Sequence, residues 1–208
     1  MISEATREAA RAGTTNVSWV VMRAEQLPGG LGGFRLVTLA QSFHWMNQRV
    51  VADAVHRMLD TGGAVVHIGG MTHRGVVAAD SRRLGLPSPP YSEIDELTVH
   101  YLGPVRRAGR DTLPRGTRSG EDAVLLKSGF DEPRRVVVTG GQIVERSLDE
   151  VVASTFSLSS SAPHLFGDRV TEYEQRLRSL LAQASPTGRF QEQTGDIAVS
   201  IWKPGPDS

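Results

Sequence analysis

Residues 34–47, FRLVTLAQSFHWMN, end an apolar run in a cluster of side chains able to do chemistry. Gln41 and Ser42 bring an amide and a hydroxyl, Trp45 an indole face, and His44 a group that exchanges a proton near neutral pH. A second polar group, Arg23-Ala24-Glu25, follows the apolar run NVSWVVM at 16–22. In open α/β sheets, ligands bind beyond the carboxyl ends of parallel strands. Two strand exits loaded with such groups therefore mark a candidate ligand site.

The elements that must hold these residues are readable from pattern. Residues 3–12 read as a short helix with Ala5, Ala9 and Ala12 on one face and Gly13 after its end. Residues 16–22 alternate Val17, Trp19 and Val21 against Ser18, Val20 and Met22, which predicts a strand. Leu36–Ala40 predicts the next one. Asn47 is a good N-cap for a helix whose Val51, Ala54, Val55, Met58 and Leu59 share a face, with Gly62-Gly63 ending it before the strand GAVVHIG. The order α-β-α-β with nearly continuous apolar strands is the signature of a parallel sheet covered on both faces. Further on, PPYSEIDELTVHYLGP predicts a helix ending near Gly103, Arg135–Thr139 a strand, and 148–156 and 168–183 helices. DIAVSIWKP, with Ile197, Val199 and Ile201 alternating, closes the chain as a strand. The chain reads as one domain over 1–208, with a helix and loop insertion at about 71–133.

Composition bounds the partners. At 208 residues and 39% apolar content the chain can bury a core, and 23 basic against 23 acidic residues leave no global field to recruit nucleic acid or a membrane surface. With no cysteine there is neither a disulfide framework nor a thiolate nucleophile. No apolar run approaches the roughly 20 residues of a spanning helix, and MISEATREAARAG has no apolar leader core, so the expected location is cytoplasmic. His56, His73 and His100 are too scattered to argue for a metal site, and none is expected.

The pieces NVSWVVMRAEQLP, FRLVTLAQSFHWMN, the exit LDTGGAVVHIG and the tail from VVASTFSLSSSAPHLFG to DIAVSIWKP resemble the class I S-adenosylmethionine-dependent methyltransferases, in particular the methyltransferase-11-like group. The resemblance covers residues 1 to about 70 and about 120 onward. It implies an α/β, Rossmann-like sheet, mostly parallel with an antiparallel last strand, and S-adenosyl-L-methionine as cofactor for methylating a small molecule. It places Ala24 and Glu25 beside the adenine and Ala40, Gln41 and Ser42 along the cofactor. His44 falls near the methyl donor as the base an acceptor would need, and Trp45 lines the acceptor pocket. Ser159, Ser160 and His164 fall in the region that approaches the acceptor. Arg23 stands where the family often has an acidic residue facing the adenine amine, so that role passes to Glu25 or to a backbone carbonyl. The family's glycine-rich loop after its first strand has no counterpart here. PGGLGG at 28–33 joins strand to strand, and IGGMTHRG lacks the G-x-G spacing. On this resemblance the sheet lacks its first strands, and the chain reads as N-terminally truncated: a misplaced start, a fragment or a decayed paralogue, with methyl transfer impaired.

Each residue also has a plainer role. His44 and Trp45 can plug the sheet edge, Glu25 can cap a turn, and SLSSSAPH can cap the helix that follows it. His67 packs within its strand, and Arg106, Arg107, Arg110, Arg115 and Arg118 form either a solvated loop or an anion site. Two rival functions stand beside methyl transfer. One is a non-catalytic binding or partner protein that has lost the donor site. The other is an oxidoreductase holding a nucleotide after GAVVHIGG, which lacks both G-x-G-x-x-G and an acidic ribose ligand.

Overall fold

Strand β1 (Phe34–Ala40) runs parallel to β2 (Leu59–Gly70), and helix α2 (Gln48–Met58) carries the chain from one to the other. The computed structural model describes residues 2–70, 74–75, 85–108, 111–113 and 120–206. Two strands complete the main sheet, β5 (Arg134–Val138) and β8 (Ile197–Trp202), in the order β1-β2-β8-β5. β8 is antiparallel to both of its neighbours, so β1, β2 and β5 run one way and β8 the other.

The covered face of the sheet holds Val37, Leu39, Val65 and Trp202, packed on Val51, Ala52 and Val55 of α2 and on Leu125 of α4 (Glu121–Lys127). The heptad-like spacing of α2 thus faces the sheet as its sequence requires, and Asn47 caps its start, Oδ1 accepting from the Val50 N–H at 3.5 Å. A second apolar cluster lies apart. It joins α3 (Tyr91–Leu102), α5 (Leu148–Ser157) and α6 (Val170–Ala184) to Phe190 of β7 (Arg189–Gln193), with Tyr173, Leu177 and Leu181 fully buried. β7 pairs with β6 (Ile143–Ser147), and β3 (Arg106–Ala108) pairs with β4 (Asp111–Leu113). The N-terminal helix α1 (Ile2–Arg11) buries no residue. His73, Arg110, Arg115 and Arg118 lie outside the described residues.

Three expectations are corrected. Residues 17–22 form no strand, and Val17, Trp19, Val20 and Val21 are exposed. A strand exists only where a neighbour takes its hydrogen bonds, and β1, the sheet edge on that side, pairs only with β2 among the described residues. Gly62 and Gly63 do not end α2, which stops at Met58. They sit inside β2, where the register jumps between Phe34↔Leu59 and Leu36↔Ala64. A Cβ at Gly63 would lie 2.9 Å from the Asp60 carbonyl and 3.1 Å from that of Phe34, so the bulge closes only around glycine. Finally, among the described residues β1, β2 and β8 are covered on one face rather than two, and β5 is exposed along its whole length. Phe34, Leu36, Val66, Ile68, Val136, Val138, Val199 and Ile201 share the other face by register, and none belongs to either apolar cluster.

Leu36 and Leu39 test this one-sidedness within a single strand, being 55% and 6% exposed. Leu39→Ala should cost about 2–5 kcal/mol by urea unfolding. Leu36→Ala should stay within about 0.5 kcal/mol. Equal losses would mean that both faces are covered in solution.

Candidate functional site

The carboxyl end of β1 is where the polar residues gather. Gln41, the first residue past the strand, has φ +50°, a left-handed conformation that is uncommon outside glycine. Two bonds hold it there: its N–H donates to the Ile68 carbonyl at 3.2 Å, and its Nε2 donates to the Gly70 carbonyl. Both acceptors belong to β2, so the turn is fixed to the neighbouring strand. The turn lets the chain leave the sheet plane into a single 3-10 turn, Phe43–Trp45. Phe43, fully buried, packs edge-on against His67 at 5.9 Å and anchors that turn in the core.

The anchor leaves its neighbours outside. His44 and Trp45 are half-buried, with ring centroids 4.9 Å apart and planes tilted by 45°, and neither belongs to the apolar core. Ser42 is half-buried; Ala40 and Gln41 are exposed.

A second short turn, Ala24–Gln26, docks beside this exit. Ala24 and Leu27 pack against the core, and the Glu25 carboxylate accepts from the backbone N–H of Asn47 at 2.9 Å. Asn47 is the cap of α2, whose first N–H groups lack partners within the helix, so a carboxylate there is favoured. The bond holds the Glu25 carboxyl below the ordinary carboxylate range, with Arg23 at 3.8 Å adding a smaller pull in the same direction. The capping role of Glu25 is therefore occupied, and its Oε2 faces Arg23.

Beneath the exit, on the covered face, His67 Nε2 stands 3.3 Å from Glu121 Oε2, and Gln48 donates to Glu121 at 3.4 Å. Burial pushes the Glu121 carboxyl up, while His67 pulls it the other way.

The remaining sequence candidates lie elsewhere. Ser160 lines a cavity between α3 and α5 to which no residue of 24–45 contributes. Ser159 and His164 are exposed and do not line it. The structure thus gathers Ala24, Glu25, Ala40, Gln41, Ser42, His44 and Trp45 around one strand exit and sets Ser160 at a separate cavity. Sequence reasoning missed the rest of that cavity. Tyr91, Ile94, Asp95 and Thr98 follow the i, i+3, i+4, i+7 spacing of one α3 face, a signal present in the sequence but indistinguishable there from a packing face.

No family model and no curated protein matches the chain. Solved structures that resemble it include the YcgJ protein of Bacillus subtilis, at 15% identity and TM-score 0.46 over 98% of this chain and 78% of that one. A protein put forward as a sarcosine dimethylglycine methyltransferase of Galdieria sulphuraria resembles it at 11% identity and TM-score 0.44, over 98% of this chain and 65% of that one. A protein put forward as a methyltransferase of Bacillus halodurans C-125 does so at 14% identity and TM-score 0.45, over 97% and 78%.

The Glu25–Asn47 bond carries a pH signature. Its carboxyl titrates lower when folded than its ordinary value of 4.5, so the stability it contributes is complete above that value. That contribution is lost as pH falls from about 4.5 through the folded value. Glu25→Gln should flatten the acid limb of thermal midpoint against pH while lowering the midpoint at pH 7. Superimposable acid limbs for the two proteins would show that the bond does not form in solution.

Proposed function

We propose that the β1 exit is the donor side of an S-adenosylmethionine-dependent methyl-transfer site acting on a small molecule, with donor binding impaired in this chain. One observation carries the reading: the Glu25–Asn47 bond draws the Ala24–Gln26 turn against the strand exit bearing Gln41, Ser42, His44 and Trp45. Two segments that the resemblance assigns to one cofactor are thereby held side by side.

The residues present fit the adenosine part of such a donor and not its amino-acid part. Ala24 and Ala40 are small enough for a flat base to approach, and Ser42 and Gln41 bring polar atoms beside them. For the amino-acid part the family uses a glycine-rich loop that opens a helix, whereas Gly32 and Gly33 lead straight into β1. When bound, the donor supplies an electrophilic methyl group on a sulfonium. The chain's own task is then to align the acceptor, exclude water and, for an acceptor that must lose a proton, take that proton on the His44 imidazole. Trp45, outside the core and against His44, serves as the wall that keeps water away. The resemblance assigns Ser159, Ser160 and His164 to the acceptor side, but Ser160 lines a cavity to which no residue of 24–45 contributes.

A second reading, a non-catalytic partner protein, has its own observation: among the described residues one face of β1, β2 and β8 belongs to neither apolar cluster.

Titration calorimetry of the full chain with S-adenosylhomocysteine separates these outcomes. The proposal expects weak binding, with Kd of about 0.1–1 mM, abolished by Ala40→Trp. Micromolar affinity would overturn the impairment. Undetectable binding at about 10 mM ligand would overturn the donor site and leave the partner reading.

A further inference from the structure

The second cluster holds a buried charge that methyl transfer does not use. Glu192 on β7 is 3% exposed and gathers three donors: the Tyr91 hydroxyl at 2.5 Å, the Gly75 N–H at 2.7 Å, and Arg146 Nε. A buried carboxylate is costly unless fully paired, and this one is paired by groups from three separate parts of the chain. Burial, and then the bond to Glu192, hold the Tyr91 phenol firmly protonated, so it stays a donor. Gly75 packs so closely on β7 that a Cβ there would lie 2.7 Å from the Gln193 carbonyl. Glu192 therefore fixes both Tyr91 and the backbone beside Arg74.

Those two residues frame the cavity between α3 and α5. Its volume is about 60 Å³, room for about five water-sized groups. Arg74 lies over the Tyr91 ring at 5.6 Å and reaches Asp95 at 3.0 Å. Ile94 and Leu158 supply apolar wall, and Ser160 and Ser161 hydroxyl groups, with Ser161 buried and bonded to the Thr155 carbonyl at 2.6 Å. The Arg74 side chain is 30% exposed and that of Asp95 65%, so Asp95 sits at the solvent side of the pair. An exposed ion pair of this kind contributes little and exchanges easily. A guanidinium fork matches a carboxylate in two parallel bonds.

We propose that this cavity binds a short-chain carboxylate of about five non-hydrogen atoms. Arg74 takes the carboxylate from solvent-facing Asp95, Ser160 supports it, and Ile94 and Leu158 contact the hydrocarbon. This cavity is separate from the β1 exit, and binding there does not rest on the methyl-transfer reading.

The test is amide NMR of the full chain titrated with propionate, without any methyl donor. Saturable shifts within 91–98 and 154–161 are expected, with propionamide at least tenfold weaker and Arg74→Gln reducing affinity at least tenfold. Asp95→Asn should tighten binding severalfold by removing the competitor, a gain that a purely structural ion pair would not give. The proposal is overturned by absent or non-saturating shifts, by equal binding of propionamide, or by unchanged affinity in Arg74→Gln. Inorganic phosphate binding as tightly as propionate would overturn the role of the apolar wall. Failure here with adenosyl binding intact at the β1 exit sinks this proposal alone, and the converse result sinks only the donor site.

Discussion

Parallel pairing of β1 with β2 is the constraint on which the rest depends. Two parallel strands cannot be joined by a tight turn, so the chain must cross over the sheet, and α2 is that crossing. The crossing begins at the carboxyl end of β1, so whatever lies between Ala40 and Asn47 must stand at the sheet's rim. Phe43 enters the core, and its neighbours His44 and Trp45 consequently do not. The left-handed turn at Gln41 is the local cost of leaving the sheet there, offset by two bonds to β2. Glu25 then uses the start of α2, which the crossing has placed at the same rim, to dock its own segment.

The same crossing explains why the sheet has one finished face. α2 and α4 cover Val37, Leu39 and Val65, whereas Leu36 on the opposite face remains exposed and β5 is exposed on both faces. Helices α3, α5 and α6 instead pack on one another and on Phe190. The described residues thus form two apolar clusters and, beside each, a separate group of polar residues. An exposed apolar sheet face of this extent is a surface that calls for cover.

Much of this was legible in the sequence where the local signal agreed with its tertiary setting. The α2 pattern from Val51 to Met58 and the Asn47 cap are local signals that the packing confirms. The alternating run at 16–22 carried an equally good signal and failed, because pattern gives a strand its faces but not its partner. Gly62-Gly63 looked like a helix stop because glycine marks both helix ends and bulges, and only the neighbouring carbonyls of Phe34 and Asp60 distinguish them. The β6–β7 pair went unseen because VERS and RFQEQ are short, polar and some forty residues apart, so that neither suggests the other. At the site, the cluster at 41–45 was conspicuous by residue type. The cavity was not, since Arg74, Tyr91 and Ser160 lie far apart in sequence and line it together only in the folded chain, where a carboxylate from β7 holds Tyr91.

The central claim is that the β1 exit and the Ala24–Gln26 turn form one adenosine-facing surface. Photolabelling of the full chain with an azido-adenosyl derivative of the donor, followed by peptide mapping, tests it most directly. The account predicts label on two peptides, one containing Ala24 and Glu25 and the other containing Ala40 to Trp45, both suppressed by excess S-adenosylhomocysteine. Label confined to α3 and α5, or spread along the chain and insensitive to competitor, would contradict it.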